Sequence, residues 1–154
     1  MKLQLYIDTS VIGGCCDDAF EEWSLRLINE IRRGLKIAVI SDLTLQELEN
    51  APPNVKKIYE SLPDKNIRFV SLTEEAEKLA SFYLAERVVG PKHLFDAQHI
   101  AIATIERVDV LTSWNFKQIV NLNRIHKFNS VNLKLGHPLL EIRSPREVLS
   151  EEEI

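Results

Sequence analysis

Cysteine is scarce in this 154-residue chain: there are two, and they are neighbours, Cys15 and Cys16. An adjacent pair strains the backbone when it is bridged, so the expectation is two reduced thiols, and no Cys/His spacing suits a structural zinc. Glycine (5) and proline (6) are equally sparse, which excludes fibrous and low-complexity classes. No apolar run approaches the ~18 residues a membrane-spanning helix needs. The opening Met1–Asp8 run is too short for a signal peptide and ends on an acid, so a cytoplasmic location is expected. Neither a Walker-type phosphate loop, a GxGxxG, nor a GxSxG nucleophile turn occurs. Excess positive charge is missing too: 19 basic against 23 acidic residues give a net charge of −4. Binding to nucleic acid through bulk charge is thereby excluded, and any such role must rest on a local basic patch or on bound metal.

What is present is an alternation of strands and helices. Leu3–Ile7, Lys36–Ser41, Ile67–Leu72 and Val108–Thr112 read as strands, with Glu141–Arg143 as a last edge strand. Helices are expected over Glu21–Arg33 (stopped by Gly34), from Asp42 through Glu47, over Val55–Leu62, Thr73–Arg87, Phe95–Arg107 and Phe116–Leu122. Asp42 or Thr44 is the expected cap of the helix that carries Glu47. This order favours an α/β fold, a three-layer α/β/α sandwich around a mostly parallel sheet. One domain over 1–148 and an acidic tail over 149–154 are expected.

In open parallel sheets functional groups collect at the carboxyl ends of strands. Asp8 directly follows the first strand, and Asn115 follows the fourth. Glu47 lies just past the second strand, and Asp96 opens a helix between core residues. Each has a bland reading as a cap, a turn or a solvated charge. Together they place three carboxylates and one amide along one sheet edge. Converging oxygens repel unless a cation joins them, and hard oxygen donors suit Mg²⁺ or Mn²⁺. No Asp or Glu occurs between Val110 and Leu140, a stretch holding Lys117, Arg124, Lys127 and Lys134. A single strand of RNA could track such a groove through phosphate contacts, or the charges could form a solvated face. Trp114 and Phe128 are candidates for base stacking or for core. His93 and His99, each three residues from Asp96, could ligate a metal, but they read better as surface or capping residues.

Four segments resemble, in order, the motifs of the PIN-domain family. They are Tyr6-Ile-Asp8-Thr-Ser-Val-Ile12, Leu43-Thr-Leu-Gln-Glu47-Leu48, Phe95-Asp96-Ala-Gln-His-Ile-Ala-Ile-Ala103 and Leu111-Thr-Ser-Trp-Asn115-Phe-Lys-Gln-Ile119. The resemblance implies a metal-dependent endoribonuclease, many relatives being VapC-type toxins that are dimeric and held by a cognate antitoxin. It assigns Asp8, Glu47 and Asp96 as catalytic and metal-binding residues. Thr9, Ser113 and Asn115 become groups that orient them, while Lys117, Arg124 and Lys127 are expected to contact RNA on the strength of the acid-free basic stretch itself. The expected partners are thus an RNA substrate, an antitoxin and a second copy of the chain. Asn115 stands where many relatives have a fourth acid, which argues for one firmly held ion. It also keeps open a catalytically inactive RNA- or protein-binding module. A receiver-like domain fits poorly, since Ser71 and Leu72 follow the third extended segment. A haloacid-dehalogenase-type phosphatase would need an aspartate at Ser10.

Overall fold

The first strand, β1 (Leu3–Ile7), has Leu5, Tyr6 and Ile7 all fully buried. Such a continuous apolar run belongs to a parallel strand covered on both faces. In the computed structural model, which describes residues 1–150, β1 is the centre of a five-stranded sheet ordered β3-β2-β1-β4-β5. Its partners are β2 (Lys36–Ser41), β3 (Ile67–Val70), β4 (Val110–Thr112) and β5 (Ile142–Arg143). Every pairing is parallel.

Successive strand residues point to opposite faces, and they split the core in two. Tyr6 and Val39 pack with Leu79 and Tyr83 of α5 (Glu74–Ala85), Ile100 of α6 (Leu94–Ile105) and Phe128 of α7 (Leu122–Lys134). Leu5, Ile7, Ala38 and Ile40 pack with Ile12 of α1 (Thr9–Gly14), Leu27, Ile28 and Ile31 of α2 (Glu21–Arg32), and Val55 of α4 (Pro53–Glu60). The result is the expected three-layer α/β/α sandwich. The remaining helix, α3 (Asp42–Leu48), starts directly at the end of β2 and carries Glu47.

The helix expected at Phe116–Leu122 is a correction. That stretch is a series of turns, in which Ile119 and Val120 N–H both bond to the Asn115 carbonyl. The real helix, α7, begins at Leu122 and is capped by the Asn121 side chain, which accepts from Arg124 N–H. Neither Asp42 nor Thr44 caps α3; the Ser41 hydroxyl does, accepting from Thr44 N–H at 3.2 Å. The third and fourth strands are shorter than expected, ending at Val70 and starting at Val110. Gly34 has φ of +77°, a left-handed turn that glycine adopts without cost, and it ends α2 as read. At the start of the expected tail, Ser150 N–H bonds to Glu30 and its hydroxyl accepts from the buried Lys36 ammonium. The rest of that tail lies outside the described residues.

Candidate functional site

The order β3-β2-β1-β4-β5 reverses direction between β1 and β4. A crevice opens beyond the carboxyl ends of strands at such a point. Asp8 follows β1 there and Ser113 follows β4. Asp8 is 5% exposed, and its carboxylate is held on both oxygens. Oδ2 accepts from Ser113 Oγ at 2.6 Å. Oδ1 accepts from Ser10 Oγ at 2.6 Å and from Val11 N–H at 3.3 Å, so Asp8 also caps α1. Burial pushes the Asp8 carboxyl above its ordinary pKa, and the nearby His99 and the two serine hydroxyls only partly oppose this.

Asp96 lies in the first turn of α6 and is a quarter exposed. Burial raises its pKa as well, His99 and His93 oppose the rise, and Glu47 adds to it. His93 Nδ1 stands 3.3 Å from Asp96 Oδ2. Glu47, about a third exposed on α3, meets His99 Nε2 at 2.6 Å.

His99 is the hub of this arrangement. It is 3% exposed, and its Nδ1 is 2.6 Å from the hydroxyl of the fully buried Tyr6. Tyr6 in turn is 2.7 Å from Ser41 Oγ. One consistent direction of donation uses every hydrogen: Thr44 N–H to Ser41, Ser41 to Tyr6, Tyr6 to His99 Nδ1, and His99 Nε2–H to Glu47. A buried polar residue needs such partners. Burial pushes the Tyr6 phenol far above its ordinary pKa, so it stays a neutral hydrogen-bonding group.

His99 thus bonds directly to Glu47, while Asp8 and Asp96 lie near enough to be influenced by its charge. Yet each carboxylate has a partner of its own, and among the described residues no three His, Cys, Asp or Glu side chains are gathered as a ready-made metal centre. Ser113 contacts Asp8, and Asn115 joins through its backbone N–H, which donates to Ser113 Oγ at 3.0 Å. The Asn115 side chain accepts from Gln118 N–H and so shapes the turn. Thr9 Oγ1 is buried without a partner among the described residues, and Ser10 fills the role expected of Thr9. Arg124 is tied to the Val88 carbonyl, while Lys117 and Lys127 are exposed. Sequence reasoning missed Ser10 as a partner of Asp8 and read His99, which is buried, as a surface or capping residue. For His99 a signal existed: α6 is buried on nearly every side, and a lone imidazole in such a helix must be paired.

No protein-family model and no curated protein matches the sequence. Solved structures do match in fold. A VapC20 toxin from Mycobacterium tuberculosis, described as cleaving the sarcin-ricin loop, superposes with a TM-score of 0.55 at 16% identity, over 73% of this chain and 91% of that one. VapBC2 from Rickettsia felis, bound to a DNA fragment from its promoter, gives 0.55 at 12% identity, over 92% and 98%. The fold is PIN-like, of the VapC type.

Proposed function

We propose that this chain is a metal-dependent endoribonuclease that cuts single-stranded or loop RNA. The observation carrying this reading is the buried Asp8 carboxylate at the reversal point of the sheet, with Asp96 and Glu47 close to the same imidazole. The likeness in fold to a loop-cleaving toxin supports it.

The donor chemistry fits a divalent cation. Asp8, Asp96 and Glu47 supply hard oxygens, as Mg²⁺ or Mn²⁺ prefers. An ionised carboxylate offers about four lone-pair sites. Three of those on Asp8 are filled by Ser10, Val11 and Ser113, which leaves one lone-pair site, on Oδ2, to ligate. Burial raises the pKa of Asp8 and Asp96 by disfavouring their charged forms, and a bound cation would favour those forms. Asp8 and Asp96 would hold the ion, with Glu47 beside them. Bound there, it would polarise a phosphoryl oxygen and lower the pKa of a water. The chain's own part is orientation. Ser10 and Ser113 fix Asp8, His99 fixes Glu47, and Glu47 takes the proton from the attacking water. In-line attack forms the new P–O bond as the P–O3′ bond breaks, solvent water protonates the departing 3′-oxygen, and a 5′-phosphate and a 3′-hydroxyl result.

A cognate antitoxin is the proposed controlling partner, supported by the likeness to VapBC2. A homodimer and a cytoplasmic location complete the reading. Among the described residues no helix is long and apolar enough to cross a membrane. A second reading, an inactive PIN-like binding module, draws on the neutral Asn115 and on the absence of a gathered ligand set among the described residues.

The test is cleavage of a fluorescent single-stranded RNA with Mg²⁺ or Mn²⁺, against EDTA and the Asp8→Ala/Asp96→Asn double variant. Metal-dependent cutting that the variant loses supports the nuclease. No cutting of single strands or structured loops by folded, antitoxin-free protein would favour the binding module.

A further inference from the structure

A group of three aromatic rings is fastened to Asp8. Trp114 N–H donates to Ser10 Oγ at 2.9 Å, and the same hydroxyl donates to Asp8 Oδ1. Ser113, one residue earlier, donates to Asp8 Oδ2. The segment from Ser113 to Phe116 is thereby docked on the carboxylate.

The Trp114 indole is locked in place. Its Nε1–H donates to Ser24 Oγ at 2.7 Å, and it lies so close to α1 that a Cβ on Gly14 would come within 2.6 Å of it. Phe20 stacks on it at 4.3 Å between centroids, with 16° between planes. Phe116 leans edge-on against Trp114 at 6.0 Å and lies tilted to Phe20 at 6.4 Å. The Phe116 backbone is pinned too: its N–H bonds to the Trp114 carbonyl, and its own carbonyl accepts from Asn121 Nδ2. Trp114 is 8% exposed, but Phe116 is 49% exposed. A rigid ring thus stands half in water within three residues of the group that holds Asp8, a span of at most ~11 Å along the chain. Across the site Phe95, next to Asp96, is 59% exposed.

Charge says what such a ring receives. Lys117 follows Phe116, is exposed, and has no carboxylate partner among the described residues. The acid-free stretch from Val110 to Leu140 continues from it. Phe20, on the other flank, follows the exposed Asp17 and Asp18. A polyanion is therefore drawn over Phe116 toward Lys117 and kept away from the Phe20 side. A flat hydrophobic face beside a cation, next to a site for a phosphodiester, suits a nucleobase and its phosphate.

We propose that Phe116, backed by Trp114 and Phe20, is the seat of an unpaired nucleobase beside the scissile phosphate, and that Lys117 takes the adjoining phosphate. This rests on the nuclease reading and narrows it to strands whose bases are free to leave their neighbours. A duplex, with its bases stacked on one another, is refused.

The experiment measures KM with Mn²⁺ and Kd by anisotropy in EDTA, for a fluorescent U-rich single strand and for its duplex. Wild type, Phe116→Ala, Phe116→Trp and Lys117→Gln are compared. Phe116→Ala is expected to raise KM and Kd for the single strand about 5- to 150-fold, the range for one base–aromatic stack. Phe116→Trp should keep wild-type values, and Lys117→Gln should reduce the salt dependence of Kd. Unchanged KM in Phe116→Ala, with wild-type cleavage intact, overturns the seat and leaves the nuclease standing. Equal binding of the duplex overturns it as well. A wild type that neither binds nor cuts RNA removes the nuclease reading and the seat together. Loosening of a bound antitoxin by Phe116→Ala, with RNA constants unchanged, would assign the ring to a protein partner and overturn the proposal.

Discussion

Replacing His99 by leucine separates orientation of the carboxylates from their mere presence. The imidazole makes two hydrogen bonds of 2.6 Å, to Tyr6 and to Glu47. Leucine removes both, but it orphans neither partner. Tyr6 then donates to Ser41 Oγ at 2.7 Å, Ser41 in turn to Thr44 Oγ1 at 3.4 Å, and Glu47, about a third exposed, returns to water. The cost is then two ordinary hydrogen bonds, about 2 kcal/mol, rather than the larger penalty of a stranded buried group. For a chain of this size that lowers Tm by about 4–8 °C. His99→Gln puts an amide N–H within reach of Glu47 and should lose about half as much. Tyr6→Phe is the informative contrast. It deletes one oxygen, yet it strands His99 Nδ1 in the core, at about 1–3 kcal/mol.

Cleavage should follow the Glu47 bond and not the melting temperature. His99→Leu frees the Glu47 carboxylate to wander, and a misplacement of about 1 Å can cost on the order of 10²-fold in rate. His99→Gln should recover most of that loss, although it melts below wild type. Differential scanning calorimetry and steady-state cleavage measure the two quantities on the same samples. A His99→Leu protein that melts as wild type refutes the hydrogen-bond accounting. One that cuts as fast as wild type refutes the role of His99 in holding Glu47.

Two further expectations concern charge. Asp8→Asn should abolish cutting and yet raise Tm by a few degrees at neutral pH. The folded pKa of Asp8 lies above its unfolded value, so its destabilisation sets in as pH rises through about 3.9 and is complete above the folded pKa. The gain should therefore vanish in acid; a gain that persists at pH 3, or a loss at pH 7, would contradict the assignment. Glu30 behaves oppositely. Burial pushes its carboxyl up, but bonds from Lys36 and Ser150 outweigh this and hold it below its ordinary value. Its stability is present above the unfolded pKa and is lost as pH falls through the folded one. Lys36→Met leaves that buried carboxylate without its 2.7 Å partner and should cost about 3–5 kcal/mol at pH 7, measured by urea unfolding. A cost below about 1 kcal/mol would show the pair to be effectively solvated.

The sheet and its two helical layers were legible because their signal is one of pattern. Leu3–Ile7 and Lys36–Ser41 are apolar runs bounded by breaks, and the acids that follow them fall at strand ends as a parallel sheet requires. The fourth strand and Ser113 followed from the same logic. What escaped was set by tertiary contact. In α7, Leu-Asn-Arg-Ile-His-Lys-Phe-Asn-Ser-Val-Asn-Leu-Lys, the inward face carries Asn132, fully buried because it bonds Tyr83. A polar residue at a core position blurs the helical period, so the sequence does not announce a helix over Leu122–Lys134 and suggests one over Phe116–Leu122 instead. His99 failed for a related reason. Its partners, Tyr6 and Glu47, lie 93 and 52 residues away, and no local pattern announces them.

The net charge of −4 limits how this molecule can hold a polyanion at all. Its long-range field repels RNA, and two of the four cations in the acid-free stretch are already engaged, Arg124 with Val88 and Lys134 with Glu86. Capture by general electrostatic attraction is therefore weak, and recognition must rest on forces that act at contact. Stacking is one such force, since every base has an apolar face and no phosphate need be neutralised to use it. On the proposed function, a divalent cation held by the carboxylates would be another, because the ion would reverse the sign of the field only where the phosphodiester is to lie. On this reasoning the half-exposed Phe116 and the buried Asp8 answer one problem. An acidic chain discriminates by where its few attractive contacts stand, and both of these stand at the same end of β1 and β4.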